Sequence, residues 1–124
     1  MGIQREQARA RGSVAEWAAA WWLRLKGYRI LARQFRARGG ELDVVALTPY
    51  WHSPATIVFV EVRTRTTLGE AISSVSETKK GRVEKAARQF CARMPGLGGL
   101  PRRYDLIVMA ETAWPRHFRD AWRT

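Results

Sequence analysis

The run Ile57-Val-Phe-Val-Glu-Val62 narrows the fold of this chain more than any other stretch. It is short and rich in β-branched residues, so it reads as a strand. It is apolar on both faces at its start, and such a strand needs cover on both sides. That places it centrally in a sheet with other elements packed above and below. Glu61 is the anomaly, an acidic residue where the sheet should be apolar. The neighbouring run Glu41-Leu-Asp-Val-Val-Ala-Leu47 repeats the anomaly at Asp43.

The remaining elements follow from periodicity and breakers. A helix is expected from Ser13, with Val14, Trp17, Ala18, Trp21 and Leu25 as its inward stripe and Gly27 ending it. A strand follows over "YRILARQFRAR", with Ile30, Ala32 and Phe35 inward. Gly39-Gly40 turn the chain into the Asp43 strand, and "TPYWHSPAT" reads as a hairpin-type loop. "TTLGEAISSVS" reads as a loop holding at most a short turn. A second helix is expected from Glu77 to Arg93, with Val83, Ala86, Ala87 and Phe90 inward, and "MPGLGGLP" breaks it. "RYDLIVMA" is a further buried strand, and "WPRHFRDAW" an edge strand or short turn. The order predicts an α/β fold, a mixed sheet flanked by helices. A length of 124 residues suits one domain. We assign it to 12–124, after a basic arm at 1–11.

Charge separates the chain into three parts. The formal net charge is +11, which points to a polyanionic partner, nucleic acid first. Residues 1–40 hold nine basic and two acidic side chains, and residues 76–124 hold eleven and five. Residues 41–75 hold two basic and four acidic. An acidic centre between basic arms is not what a plain phosphate-binding surface needs. A metal ion would account for it. The single Cys91 excludes an internal disulfide and a cysteine-based zinc cluster, and is expected as a small buried apolar side chain. His52 and His117 are the only histidines and lack zinc-ligand spacing. No run suits a membrane span and the charged N-terminus lacks a signal-peptide core, so a soluble cytoplasmic protein is expected.

Alternation puts Glu41, Asp43 and Val45 on one face of their strand, opposite Leu42, Val44 and Ala46. It puts Ile57, Phe59, Glu61, Arg63 and Arg65 on one face of theirs. If the strands pair, Asp43 and Glu61 project side by side. Two such carboxylates repel, and neither leaves water cheaply. A hard divalent cation resolves both difficulties, since Mg²⁺ takes one or two carboxylates and leaves room for water and phosphate. A structural ion network with Arg36, Arg63 or Arg65 is the competing reading.

The segments "GSVAEWAAAWWLRLKGYRILARQFR", "GGELDVVAL", "VFVEVRTR" and "RYDLIVM", in that order, resemble the YraN family of small bacterial proteins. They also resemble the wider restriction-endonuclease-like superfamily, whose signature is an Asp followed by Glu/Asp-x-Lys. The resemblance spans Gly12 to Trp122. It implies a restriction-endonuclease-like fold and a DNA-cleaving activity using Mg²⁺ or Mn²⁺. It also implies metal-binding carboxylates at Asp43 and Glu61, with the Val62 carbonyl a further ligand. Glu16 matches the family's helical glutamate and would face the same site. As a plain reading, Ser13 and Glu16 form a capping box at the helix start. Arg63 stands where the signature has lysine. Arginine can steady transition-state charge but cannot act as a base. Lys79 or Lys80 could supply the missing amine, although charges on a helix commonly form a solvated face. A homodimer is within the superfamily's habits.

Lys79, Lys80, Arg82, Lys85 and Arg88 of the second helix are candidates for phosphate contacts, which position nucleic acid without reading sequence. No recognition-helix pattern accompanies them, so selectivity for DNA structure is expected over selectivity for sequence. Three functions stay open on these grounds. They are a divalent-metal-dependent DNA endonuclease, a non-catalytic nucleic-acid-binding protein on the same fold, and a module for an acidic protein or ribosomal RNA.

Overall fold

The computed structural model describes residues 2–64, 67–109 and 114–123. Its elements in chain order are α1 (Gly2–Leu25), β1 (Arg29–Ala37), β2 (Gly40–Leu47), β3 (Ile57–Thr64), α2 (Leu68–Ser73), α3 (Glu77–Arg93), β4 (Arg102–Met109) and β5 (Arg116–Trp122). The strands lie side by side in chain order in one five-stranded sheet. Neighbours are antiparallel except β3 and β4, which are parallel. A parallel pair needs a long crossover, and α2 with α3 supply it. This is an α/β fold with a mixed sheet flanked by helices, consistent with a restriction-endonuclease-like architecture.

β3 is covered on both sides, as its sequence requires. On one face Val58, Val60 and Val62 pack under Ala15, Ala19 and Leu23 of α1. On the other, Ile57 and Phe59 pack under Val83, Ala86, Ala87 and Phe90 of α3, with Cys91 in the same cluster. Each large side chain so buried contributes ~1.5–3 kcal/mol. α3 starts where expected because Ser76 caps it, its hydroxyl accepting the Lys79 N–H at 3.2 Å. Among the described residues, no helix is long and apolar enough to cross a membrane.

Four expectations need correction. First, α1 begins at Gly2, so Ser13 lies within the helix and is not at its start. Second, the inward stripe of α1 is Ala15, Ala19, Ala20 and Leu23, while Val14, Trp17, Trp21 and Leu25 face solvent. Both stripes have helical spacing, and periodicity alone cannot choose between them. The alanine face lets the helix lie close to the sheet, which two indoles would prevent. Third, the segment after β3 contains a true helical stretch, α2, capped by Thr67, whose hydroxyl accepts the Glu70 N–H at 3.2 Å. Fourth, strand alternation slips in β1 and β2. Ile30 packs on the α1 side, whereas Ala32 and Phe35 pack on the α3 side, and the β1–β2 register shifts between Ile30 and Ala32. In β2, Leu42 and Val45 join the α3 cluster while Val44 and Ala46 join the α1 cluster. The open choice at the C-terminus resolves to a strand, β5. Arg65 lies outside the described residues.

Candidate metal and nucleic-acid site

The slip in β2 falls at Asp43. Backbone pairing of β2 with β3 runs from Leu47–Ile57 to Val44–Val60. Beyond it, Asp43 Oδ2 accepts the Val62 N–H at 2.9 Å. A carboxylate therefore takes a donor that a regular ladder would give to a backbone carbonyl. On the other side of β2, Gln34 sits between the pairs Arg33–Val44 and Phe35–Leu42 with φ of +53°. This left-handed conformation is unusual for a residue with a side chain. Its side chain works to lower the Glu16 carboxyl, against the burial that raises it.

Three carboxylates converge here. One oxygen each from Glu16, Glu41 and Asp43 can be chosen so that all lie within 4.8 Å of one another. Glu61 approaches Asp43 from β3 and is only 1% exposed. Burial, then the charge of Asp43, then a hydrogen bond to Asp43 open only to the protonated acid, push the Glu16 carboxyl up to about 7. The same three influences push Glu61 up to about 8, against the opposing pull of Arg63 and Lys79. Arg63 Nη2 lies 3.1 Å from Glu61 Oε2, so a direct ion pair does not offset burial and repulsion. The Oε2 atoms of Glu16 and Glu61 and the Nε of Arg63 are buried without a hydrogen-bond partner.

Asp105, on the same sheet, shows what a structural buried acid looks like. It is 0% exposed, and its Oδ1 accepts from Arg103 Nε at 2.8 Å and the Asp120 N–H at 2.9 Å. Its Oδ2 pairs with Arg103 Nη2 at 2.8 Å and His117 Nε2 at 2.7 Å. Burial works to raise this carboxyl, but the bonds from His117, Arg103 and Asp120 outweigh it and hold it below its usual range. Asp105 is complete without help. Glu16 and Glu61 are not. Buried polar atoms normally find partners; Glu16 Oε2 has none and Glu61 Oε2 has only its ion pair with Arg63, which fits a divalent cation held at Asp43 with Glu16 and Glu41.

The expected ligands are placed as follows. Asp43 meets both expected glutamates: Glu16 joins it and Glu41 within 4.8 Å, while Glu61 approaches it from β3 and is not one of those three. The Val62 N–H points at Asp43, and in an extended strand the carbonyl of the same residue points to the same neighbour. Glu41 was not expected as a ligand, although strand alternation had already set it beside Asp43. Gln34 was also missed, and nothing in the sequence announces its left-handed turn.

The basic residues of α3 divide into two groups. Lys79 and Arg82 join Gly39, Gly40 and Glu41 in lining an open cleft of about 390 Å³. Gly40 is required here, because a Cβ would collide with the Arg82 carbonyl oxygen. That contact seats the β1–β2 turn on α3 and brings the basic face beside Glu41. Lys85 packs against Gly39, and Arg88 is exposed. Lys80 does not reach the site; it pairs with Glu77 at 3.0 Å and lines a separate apolar pocket with Ile72 and Val75.

Known proteins resemble this chain over nearly its whole length. A UPF0102 protein of Paramagnetospirillum magneticum is 44% identical over 122 residues, 95% of this chain and 91% of its own. One from Maricaulis maris is 42% identical over 118 residues, 95% and 89% respectively. One from Methylorubrum extorquens is 41% identical over 121 residues, 98% and 91%. A family profile described as "Uncharacterised protein family UPF0102" matches residues 15–109, from the buried face of α1 to the end of β4. The chain belongs to the UPF0102 family, to which its YraN-like segments pointed.

Proposed function

We propose that this protein is a cytoplasmic endonuclease that hydrolyses DNA phosphodiesters with Mg²⁺ or Mn²⁺ at the Asp43 cluster. The observation that carries this reading is the pair of buried carboxyls, Glu16 and Glu61, left unsatisfied around Asp43 beside a basic cleft. Asp43, Glu61, Glu16 and Glu41 would hold the cation, with the Val62 carbonyl on the same side. When bound, such an ion supplies Lewis-acid polarisation of a phosphate and neutralises the carboxylates.

The protein's own groups do the rest. Hydrolysis adds water across one P–O ester bond and leaves a phosphate monoester and a hydroxyl. Arg63 would steady negative charge building on the phosphate through its guanidinium, whose Nη2 already lies beside Glu61. It keeps its proton throughout. Lys79 is close enough to Glu61 for its charge to act on that carboxyl, so it supplies the amine that the usual signature places two residues after the glutamate. Arg82, Lys85 and Arg88 extend the basic face along α3 and hold the DNA backbone. One cluster cuts one strand, so cutting both strands of a duplex would call for two copies or two encounters.

A second reading, a DNA-binding protein without catalysis, is favoured by one observation: Arg63 stands in the lysine position and leans on Glu61. Cleavage of linear, single-stranded and four-way-branched DNA with Mg²⁺ or Mn²⁺ separates the two. Loss of cutting in both Asp43→Ala and Glu61→Ala, with wild type active, supports the nuclease. Intact binding with no cutting by any form establishes the second reading.

A further inference from the structure

Asp105 also holds a histidine and a lysine for which the carboxylate site has no use. Its Oδ2 lies 2.7 Å from His117 Nε2, and the other ring nitrogen, Nδ1, lies 2.6 Å from Lys26 Nζ. We propose that Lys26 is a covalent acylation site, its ε-amine activated by His117 and Asp105 and accepting the acyl group of a small acyl phosphate. Lys26 lies ~15 Å along the axis of α1 from Glu16, so this chemistry is separate from the nuclease reading.

The end of α1 and a slip in the sheet bring these groups together. The Gly27 N–H donates to the Arg24 carbonyl at 2.9 Å and the Tyr28 N–H to the Leu23 carbonyl at 3.0 Å, with Gly27 at φ of +92°. This Schellman closure makes Lys26 the capping residue of the helix and sends Tyr28 inward. On the other side, the β4–β5 register shifts between Tyr104 and Leu106, and Asp120 adopts φ of +53°. The shift falls at Asp105, whose carboxylate takes the Asp120 N–H and holds the His117 ring. The edge of the Tyr28 ring meets His117 at 5.7 Å between centroids. The His117 side chain is only 2% exposed, whereas Lys26 is half-buried. The base is enclosed and the amine can be reached.

The hydrogen bonds limit how many protons the group can hold. Asp105 is ionised and only accepts, so His117 Nε2 carries a proton and donates it. One proton then lies between Nδ1 and Nζ. Either an ammonium donates to a bare Nδ1, or an imidazolium donates to a free amine. An ammonium facing an imidazolium would oppose two N–H groups across 2.6 Å. The surroundings favour giving up a proton, because Arg103 claims both Asp105 oxygens and Arg119 adds further positive charge. The C-terminal end of a helix suits a cation. Burial first, then Arg119, nevertheless hold the Lys26 ammonium below its usual range, with Arg103 acting in the same sense and Asp105 opposed. A nucleophile, a base within reach of it and a third group orienting that base are the parts of an activated nucleophile.

The step balances without a cofactor. Lys26 passes one proton to His117 Nδ1, and the lone pair left on Nζ attacks the carbonyl carbon of the acyl phosphate. The bond from that carbon to the bridging oxygen breaks. Phosphate leaves with the electron pair and takes the second amine proton, and His117 returns the first to solvent. The products are an amide on Lys26 and inorganic phosphate. Arg119, close enough for its charge to act on Lys26, favours a donor with an anionic leaving group.

The chain has four lysines, Lys26, Lys79, Lys80 and Lys85, so acetylation can be followed at each by peptide mass mapping. The full chain is treated with acetyl phosphate between about pH 6 and about pH 9, the range in which a lowered lysine gains its free amine. Lys26 should react at least ~10-fold faster than any lysine of α3 near neutral pH, within what a positioned base contributes. Its rate should also level off at lower pH than theirs. His117→Gln keeps an amide for both neighbours but takes no proton, and should bring Lys26 down to the rate of the other three. Arg119→Ala should slow reaction with acetyl phosphate more than reaction with uncharged acetic anhydride. A Lys26 rate at or below that of the α3 lysines would overturn the site, as would an unchanged rate in folded His117→Gln. Equal slowing with both donors in Arg119→Ala would overturn the acyl phosphate as its substrate. If His117→Gln does not fold, the wild-type ranking and pH profile still decide, since a lysine with a purely structural hydrogen bond reacts no faster than the exposed ones.

Discussion

Replacing Glu61 with glutamine should make the metal-free protein more stable at pH 8 and change it much less at pH 5. Glu61 is pushed up to about 8 in the folded chain, first by burial and then by Asp43. In the unfolded chain it returns to its ordinary value of 4.5. Between those two pH values the native state keeps a proton that the unfolded state has released. Stability therefore falls as pH rises through this window and levels off above pH 8. Each unit of displacement is worth ~1.4 kcal/mol, and integration from pH 5 to pH 8 gives a loss of ~3 kcal/mol from this one group. Glutamine resembles the protonated acid in shape and never ionises. The difference between Glu61→Gln and wild type should thus grow by ~3 kcal/mol across that interval, or roughly 10 °C in melting temperature for a domain of this size. Reading the difference cancels titrations remote from Glu61, including that of Asp105, whose lowered carboxyl acts in the opposite sense at low pH. It also cancels the pH-independent cost of removing the partner of Arg63. The assay is thermal or urea unfolding in chelator at closely spaced pH values. Parallel curves for the two proteins would refute the idea that Glu61 is held protonated by its surroundings.

Asp105→Asn should cost ~3–5 kcal/mol in urea unfolding at pH 7, because it leaves Arg103 buried without its counter-charge. Added Mg²⁺ should not recover that loss, and recovery would mean that the two acidic centres are not separate. Lys79→Ala should reduce cleavage by at least ~10²-fold if its amine acts on the phosphate; Lys80→Ala should stay within about 2-fold under the same surface-charge reasoning. Equal effects in single-turnover assays would show that α3 contributes only general charge. Replacing Arg82, Lys85 or Arg88 by alanine should lower the slope of log affinity against log salt by ~1 each on duplex DNA. An unchanged slope in all three would remove α3 from the binding face.

Much of the sheet was legible because its signals are local. Ile57–Val62 had to be central, Glu77–Arg93 had one strong apolar stripe, and Gly39-Gly40 had to turn. Asp43 and Glu61 stood out for the same reason: acids inside apolar strands need an explanation. What stayed hidden depends on distances between elements. Two stripes compete on α1, and only the closeness of helix to sheet selects alanines over indoles. The slip at Asp43 and the left-handed Gln34 arise where β1, β2 and α1 meet, and no spacing in any one of them records it. Lys79 and Lys80 are adjacent in sequence, yet a turn of ~100° about the helix sends only one toward Glu61.

The irregularity of the sheet and the chemistry of the site are one feature. In an unbroken β2–β3 ladder the Val62 N–H would bond a backbone carbonyl, and strict alternation would hold Asp43 on the face shared with Val45. The structure instead ends regular pairing at Val44–Val60 and gives the Val62 N–H to the Asp43 carboxylate. That single exchange lets Asp43 reach Glu16 on one side of the sheet and Glu61 on the other, two groups that alternation alone would keep apart. Glu16 can meet it because the alanine face brings α1 down onto the sheet, and the same rotation of the helix leaves Trp17 and Trp21 in solvent. Position 43 thus answers for both fold and site, and the two roles separate by substitution. Asparagine retains an oxygen for the Val62 N–H and removes the charge that raises Glu16 and Glu61. Asp43→Asn should therefore hold the β2–β3 junction, relieve the metal-free protein above pH 5, and abolish stabilisation by Mn²⁺. A variant that kept its Mn²⁺ response would show that Asp43 serves the sheet alone.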